Sequence, residues 1–137
     1  MHSSASVRVL SVSDHESIRS SREMLLQSIG YMVVSMSSEC ALRCEIPHDL
    51  AIAVIGQTTN DISACRVAGM LREIQPNIRI LRLTMQYSRS GPGFDACCFV
   101  EDGPEVFLTC VAELIAPEVM DEVGFYSGSG AAAAFRS

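Results

Sequence analysis

The sequence predicts a single domain of the α/β class, built on a mainly parallel sheet with helices on both faces. The length of 137 residues suits one domain with one hydrophobic core. Short apolar runs alternate along the chain with segments in which apolar residues recur at helical spacing, which is the pattern of parallel α/β sheets. The short runs are almost continuously apolar, as expected for strands that helices cover on both sides.

Five of these apolar runs are predicted as strands, and turn-forming residues or helix signals bound each of them. The third, DLAIAVI, is followed directly by Gly56 and ends in Val54 and Ile55 without a carboxylate. This matters because ligands and reactive groups of open α/β sheets lie just beyond the carboxyl ends of the strands. The predicted strands are 7–12, 31–36, 49–55, 79–83 and 95–100.

Four helices are predicted between and after these strands, each preceded by residues that can cap a helix. Gly30 ends the first helix and Pro117 the last. The second helix is short, over 39–45. Apolar residues at helical spacing predict the inner faces of the other three helices: Ile18, Leu25, Leu26 and Ile29 in the first, Val67, Met70, Leu71 and Ile74 in the third, and Phe107, Val111 and Leu114 in the last. The potential helix starts are Ser13-Asp14 before Glu16, Ser37-Ser38, Asn60 or Asp61, and Gly103-Pro104.

The connection between the fourth and fifth strands is too short for a full helix. Only eight residues, 85–92, separate Thr84 from Gly93, whereas a crossover between parallel strands usually takes about a dozen or more. We therefore expect one helical turn there or none. Tyr87 and Arg89 in this connection are either exposed contact residues or ordinary loop residues. The predicted domain spans 7–117, with flexible segments at 1–6 and 118–137.

The charge pattern argues against autonomous binding to nucleic acid, and the lengths of the apolar runs argue against a membrane span. The net charge is −6, and the ten basic residues are scattered arginines with no lysine among them. No apolar run approaches the about 18 residues that suggest a membrane span. The N-terminus lacks the basic and then apolar pattern of a secretory signal, so we expect a cytoplasmic location.

The six cysteines have no zinc-binding spacing. Cys40 and Cys44 would share a helix face, which leaves a metal or redox pair as an alternative. We expect all six to be small buried apolar residues, and we expect no metal or cofactor.

The order and lengths of the elements resemble the receiver domain of bacterial response regulators, over about 7–116. That resemblance implies a flavodoxin-like fold with strand order 2-1-3-4-5 and a fourth helix that is short or absent here. The similar segments are RVLSVSDHE (8–16), GYMVVSMSSECAL (30–42), HDLAIAVIG (48–56), PNIRILRLT (76–84) and GFDACCFVEDGPEVFLTCVAEL (93–114).

The resemblance also implies where phosphoryl chemistry would lie. Receivers take a phosphoryl group from a histidine kinase onto an Asp at the end of the third strand. Two acids after the first strand hold Mg²⁺, a Ser or Thr ends the fourth strand, and a Lys ends the fifth. The matching positions here are Ser13-Asp14, Val54, Thr84, and Val100 or Glu101.

Because the acceptor, one acid and the lysine are replaced, we expect a degenerate receiver that is not phosphorylated at the usual position and is not an enzyme. A protein partner is expected: a histidine kinase, another receiver, an output protein or a second copy of the chain. The alternatives are an active phosphorelay receiver with another acceptor, or a flavodoxin-type module that binds a small ligand through loop 56–60.

Single residues keep two interpretations each. Asp14 is a helix cap or, at most weakly, a metal ligand. Thr84 is a switch hydroxyl or bonds to nearby backbone.

Overall fold

A computed structural model describes residues 7–85 and 93–115. Five parallel strands form one sheet in the order β2-β1-β3-β4-β5, which confirms the predicted 2-1-3-4-5 topology. The strands are β1 (Arg8–Val12), β2 (Met32–Met36), β3 (Ile52–Ile55), β4 (Arg79–Thr84) and β5 (Ala96–Phe99).

Four helices accompany the sheet in the described part of the chain. Gly30, at a φ of 101°, follows the first helix as predicted. Val100–Asp102 form a 3-10 turn, so the fifth strand is shorter than the predicted 95–100. The helices are α1 (Glu16–Ser28), α2 (Ser38–Arg43), α3 (Asp61–Ile74) and α4 (Pro104–Ile115).

Two hydrophobic layers lie on opposite faces of the sheet. Alternate residues of each strand point to opposite sides, so Val54 packs in the layer under α1 and α4 while Ile55 packs under α2 and α3. All four residues of β3 are fully buried, because β1 and β4 flank this strand and helices cover both its faces. The helices on both faces confirm the predicted layered architecture.

The predicted inner faces of the helices are largely correct. Leu26, Val67, Leu71, Phe107 and Val111 are buried as expected. Ile29 was predicted on the inner face of the first helix, but it follows the end of α1 and is 48% exposed.

Several sequence predictions fall outside the described residues. These are the terminal segments 1–6 and 118–137, and the 85–92 connection apart from Met85. The expectation of one helical turn or none in that connection, and the two interpretations of Tyr87 and Arg89, fall there too. Among the described helices, none has the length and apolarity to span a bilayer.

The cysteines do not all behave as buried apolar residues. Cys98 and Cys110 are buried, whereas Cys44 and Cys65 are exposed, which corrects the prediction for that pair. The Sγ atoms of Cys40 and Cys44 lie 3.1 Å apart at the end of α2. Within residues 7–85 and 93–115, no group of three or more potential metal ligands comes together.

Candidate functional site

The candidate site lies at the carboxyl ends of β1 and β3. The backbone N–H of Gly56 donates to the carbonyl of Val12 at 2.8 Å, which continues the pairing of β1 with β3 beyond the strands. The hydroxyls of Ser13 and Thr58 are 2.8 Å apart, and the Asp14 backbone N–H donates to the Thr58 hydroxyl at 3.0 Å. The turn after β1 and the loop after β3 are therefore bonded directly to each other.

Asp14 holds the start of the second helix. Its carboxylate accepts the Ser38 backbone N–H at 2.7 Å through Oδ1 and the Ser38 hydroxyl at 2.8 Å through Oδ2. Helix α1 begins after His15, which makes no side-chain capping bond, so the prediction that Asp14 caps this helix is wrong. The residue that Asp14 caps is 24 positions away in sequence. Each carboxylate oxygen of Asp14 thus accepts a hydrogen bond from Ser38, and its role as a weak metal ligand stays a prediction.

Val54, the residue matched by sequence to the phosphoacceptor, lies inside the core. It is fully buried and pairs with Ser11, two residues before Ser13. The residue of the β3 end that lies beside Ser13 is Gly56: a Cβ built on Gly56 would lie 3.5 Å from the Cβ of Ser13. The matching of Val54 to the acceptor stays a prediction, and neither Val54 nor Gly56 has a nucleophilic side chain.

An arginine that the sequence analysis missed occupies the space beside Gly56. The same Cβ built on Gly56 would lie only 2.5 Å from Nη1 of Arg22, so the guanidinium takes the place that a side chain would need. Nη2 of Arg22 donates to Gln57 Oε1 at 2.9 Å, and the guanidinium lies 5.8 Å from the centre of the Phe107 ring. Burial lowers the pKa of Arg22, and the Coulombic interaction with Cys98 acts in the opposite direction.

The position of Arg22 had a signal in the sequence. Residue 22 lies four positions after Ile18 and four before Leu26, on the same stripe of the first helix. A charged residue on this predicted inner stripe has to be partly buried or displaced. Arg22 stays on this stripe and is partly buried.

A second arginine ties down the loop after β3. Arg82 in β4 is 4% exposed, and it donates to the carbonyls of Gly56 at 2.7 Å and Thr59 at 2.9 Å. It also pairs with Asp61 Oδ1 at 2.9 Å. Asp61 is thus an ion-pair partner, while Asn60 is the cap of α3 and accepts the Ser63 N–H at 2.8 Å.

The other predicted site residues lie at the ends of β4 and β5. Thr84 is buried, and its hydroxyl lies 3.3 Å from the Cys97 thiol. Val100 and Glu101 belong to the 3-10 turn after β5, with Val100 half-buried and Glu101 exposed. Thr84 pairs with Phe99 in the sheet, so Thr84, Val100 and Glu101 all lie at the carboxyl ends of the strands.

Comparisons with known proteins agree with this architecture at the level of fold. A receiver domain protein from Clostridium thermocellum is 13% identical, with a TM-score of 0.66 over 83% of this chain and 98% of that one. The response regulator protein TrrA from Thermotoga maritima, in complex with Mg²⁺ and BeF, is 23% identical, with a TM-score of 0.66 over 79% and 98%. A structure of histidine kinase ThkA in complex with TrrA gives 24% identity, a TM-score of 0.65 and coverage of 79% and 97%.

No protein-family model matches the sequence, and no curated protein matches it. The structural likeness, with its strand order and alternating helices, shows that the chain has the flavodoxin-like fold of response-regulator receiver domains.

Replacing Arg82 with Met is expected to destabilise the protein by about 3 kcal/mol, because two buried carbonyls lose charged donors and Asp61 loses its partner. Urea unfolding followed by circular dichroism measures this. Arg66→Met, on the exposed face of α3, is the matched control and should change stability little. Equal stability of the two variants would contradict a tie between β4 and the loop.

Replacing Asp14 with Ala is expected to cost about 1 kcal/mol of unfolding free energy, because α2 loses a cap that bonds both the N–H and the hydroxyl of Ser38. The control is Asp49→Ala, which removes an exposed carboxylate paired with Arg8. A loss no larger than that of the control would show that Asp14 does not hold the helix start.

Proposed function

We propose that this chain is a receiver-like module of two-component signalling that takes no phosphoryl group at the usual strand end, is not an enzyme and acts in the cytoplasm through contacts with other proteins. The observation that supports it best is the end of β3. Val54 is buried in the core, Gly56 has no side chain, and the guanidinium of Arg22 fills the space beside Gly56.

This chain lacks most of the groups that phosphorylation of a receiver uses. Aliphatic carbon at residue 54 cannot attack a phosphodonor, and Gly56 offers no nucleophile either. Mg²⁺ sites of this type use one or two carboxylates together with phosphate oxygens, and the carboxylate of Asp14 is already bonded to Ser38. No lysine is present anywhere in the sequence to pair with a phosphoryl group.

What remains is a scaffold suited to binding. The fold is similar to that of TrrA, which forms a complex with the histidine kinase ThkA. The proposed partners of this chain are accordingly a histidine kinase, another receiver or an output protein. A second copy of the chain is the remaining candidate.

Incubation with acetyl phosphate and Mg²⁺ is expected to leave the intact mass of the protein unchanged, because the strand end has no acceptor carboxylate. A receiver domain with a complete set of acids, treated in parallel, supplies the positive control. Gain of one phosphoryl group that hydroxylamine removes would show an acyl phosphate and would overturn this part of the proposal. It would also favour the alternative of an active relay with an unusual acceptor.

The tagged full chain is used to capture partners from a lysate of its own cells, once with acetyl phosphate and Mg²⁺ and once with EDTA. We expect the same amount of signalling partner in both, because binding needs no phosphorylated state. Quantitative mass spectrometry of the captured proteins measures this, and light scattering after size exclusion reports a second copy. Capture only after phosphodonor treatment would contradict constitutive binding. If no two-component protein is captured and the chain is monomeric, the proposed partners are wrong.

A further inference from the structure

A cleft lies between the first helix and the start of the last, next to the candidate site but outside it. Its cavity volume is about 350 Å³, within the range of pockets that hold small molecules. Helix α1 forms one wall, and the turn after β5 with the beginning of α4 forms the other. Apolar side chains supply much of the lining, among them Leu25, Leu83, Val100 and Phe107.

Among the described residues that line this cleft, Arg22 is the one with a charged side chain. The ion pairs among the described residues do not include Arg22. Their arginines, each paired with a carboxylate, are Arg8, Arg43, Arg72 and Arg82. A partly buried cation without a counter-ion is costly, and its lowered pKa has the same cause. No carboxylate in the described part of the chain therefore pairs with the positive charge of the cleft; the groups near it that favour the charged form are the Cys98 thiol and the Phe107 ring.

The guanidinium also has hydrogen-bonding capacity to spare. Arginine has five N–H donors in a planar fork, and one bond, from Nη2 to Gln57, is made to a side chain. Nη1 is buried and has no acceptor within residues 7–85 and 93–115. A planar fork of this kind is suited to a carboxylate or a phosphate, which it can bind through two parallel bonds.

The acidic residues nearby limit the charge of a ligand. Glu101 and Asp102 lie on the turn after β5, and the charge of Asp102 acts on Cys98, which lines the cleft. Neither acid lines the cleft itself. With a net charge of −6 on the whole chain, a molecule carrying one anionic group is favoured over a polyanion.

We propose that this cleft binds a small organic anion, with its carboxylate or phosphate group on Arg22 and its apolar body against Leu25, Leu83 and Phe107. The hydroxyls of Ser17 and Ser21 on α1 line the same cleft and offer further hydrogen bonds. No covalent step, metal ion or acceptor Asp is involved. The proposal therefore stands or falls separately from phosphorylation at the end of β3.

Isothermal titration of the full chain with four probes tests this. Phenylacetate and phenyl phosphate carry both features, phenylacetamide lacks the charge, and inorganic phosphate lacks the apolar body. The two organic anions are expected to bind at least about tenfold more tightly than the other two, since charge-assisted bonds and apolar burial each contribute over 1.4 kcal/mol. No binding by either organic anion, or equal binding of phenylacetamide, would overturn the proposal. Binding of inorganic phosphate alone would overturn the assigned apolar body.

Arg22→Gln should weaken binding of the organic anions by at least about tenfold, whereas Arg66→Gln, which removes an exposed cation from α3, should not. Ser21→Phe fills the cleft without removing its charge and should also abolish binding. Circular dichroism establishes that each variant is folded. Wild-type affinity in folded Arg22→Gln or Ser21→Phe would exclude this cleft. The phosphodonor result is unaffected by either outcome.

Discussion

Complete burial of the central strand is the constraint on which the rest of this structure depends. β3 has a strand on each edge and helices over both faces, so its four side chains are withdrawn from water. A carboxylate at residue 54 would lose its hydration among apolar side chains of the α1 and α4 layer, which is costly for a charged group. Polar chemistry is thereby confined to the loop that follows the strand, beginning at Gly56.

Two arginines from different elements converge on that loop. Arg82 approaches from β4, and Asp61 neutralises it while the Gly56 and Thr59 carbonyls take its donors. Arg22 approaches from α1, lies against Gly56 and has no carboxylate partner in the described chain. One cation therefore stabilises the loop, whereas the other leaves a local positive charge. In the receiver domains that this chain resembles, carboxylates at the carboxyl ends of the strands hold a metal ion.

The sequence was sufficient for the architecture because alternating strands and helices leave few topologies for a short parallel sheet. Side-chain roles were harder where a partner is distant in sequence. Asp14 resembles a local cap but bonds Ser38, and this pairing exists only once β1 and β2 lie side by side. Arg82 sits inside an apolar strand, and only the folded loop shows which carbonyls it reaches. Arg22 was open to prediction, because its helical spacing put it on the buried stripe.

The bonds at the strand ends bear on how such a module would switch. Carboxylates crowded around an acceptor repel one another, so a metal ion or a phosphoryl group can shift their arrangement. Here Ser13 bonds Thr58 and Asp14 bonds Ser38, and these contacts join the two loops and α2 without any ion. The first contact joins two neutral hydroxyls, and in the second the Asp14 carboxylate accepts neutral donors at the start of α2. A change of state in this chain would need another source of differential binding energy, and the unpaired cation of Arg22 between α1 and α4 is such a source.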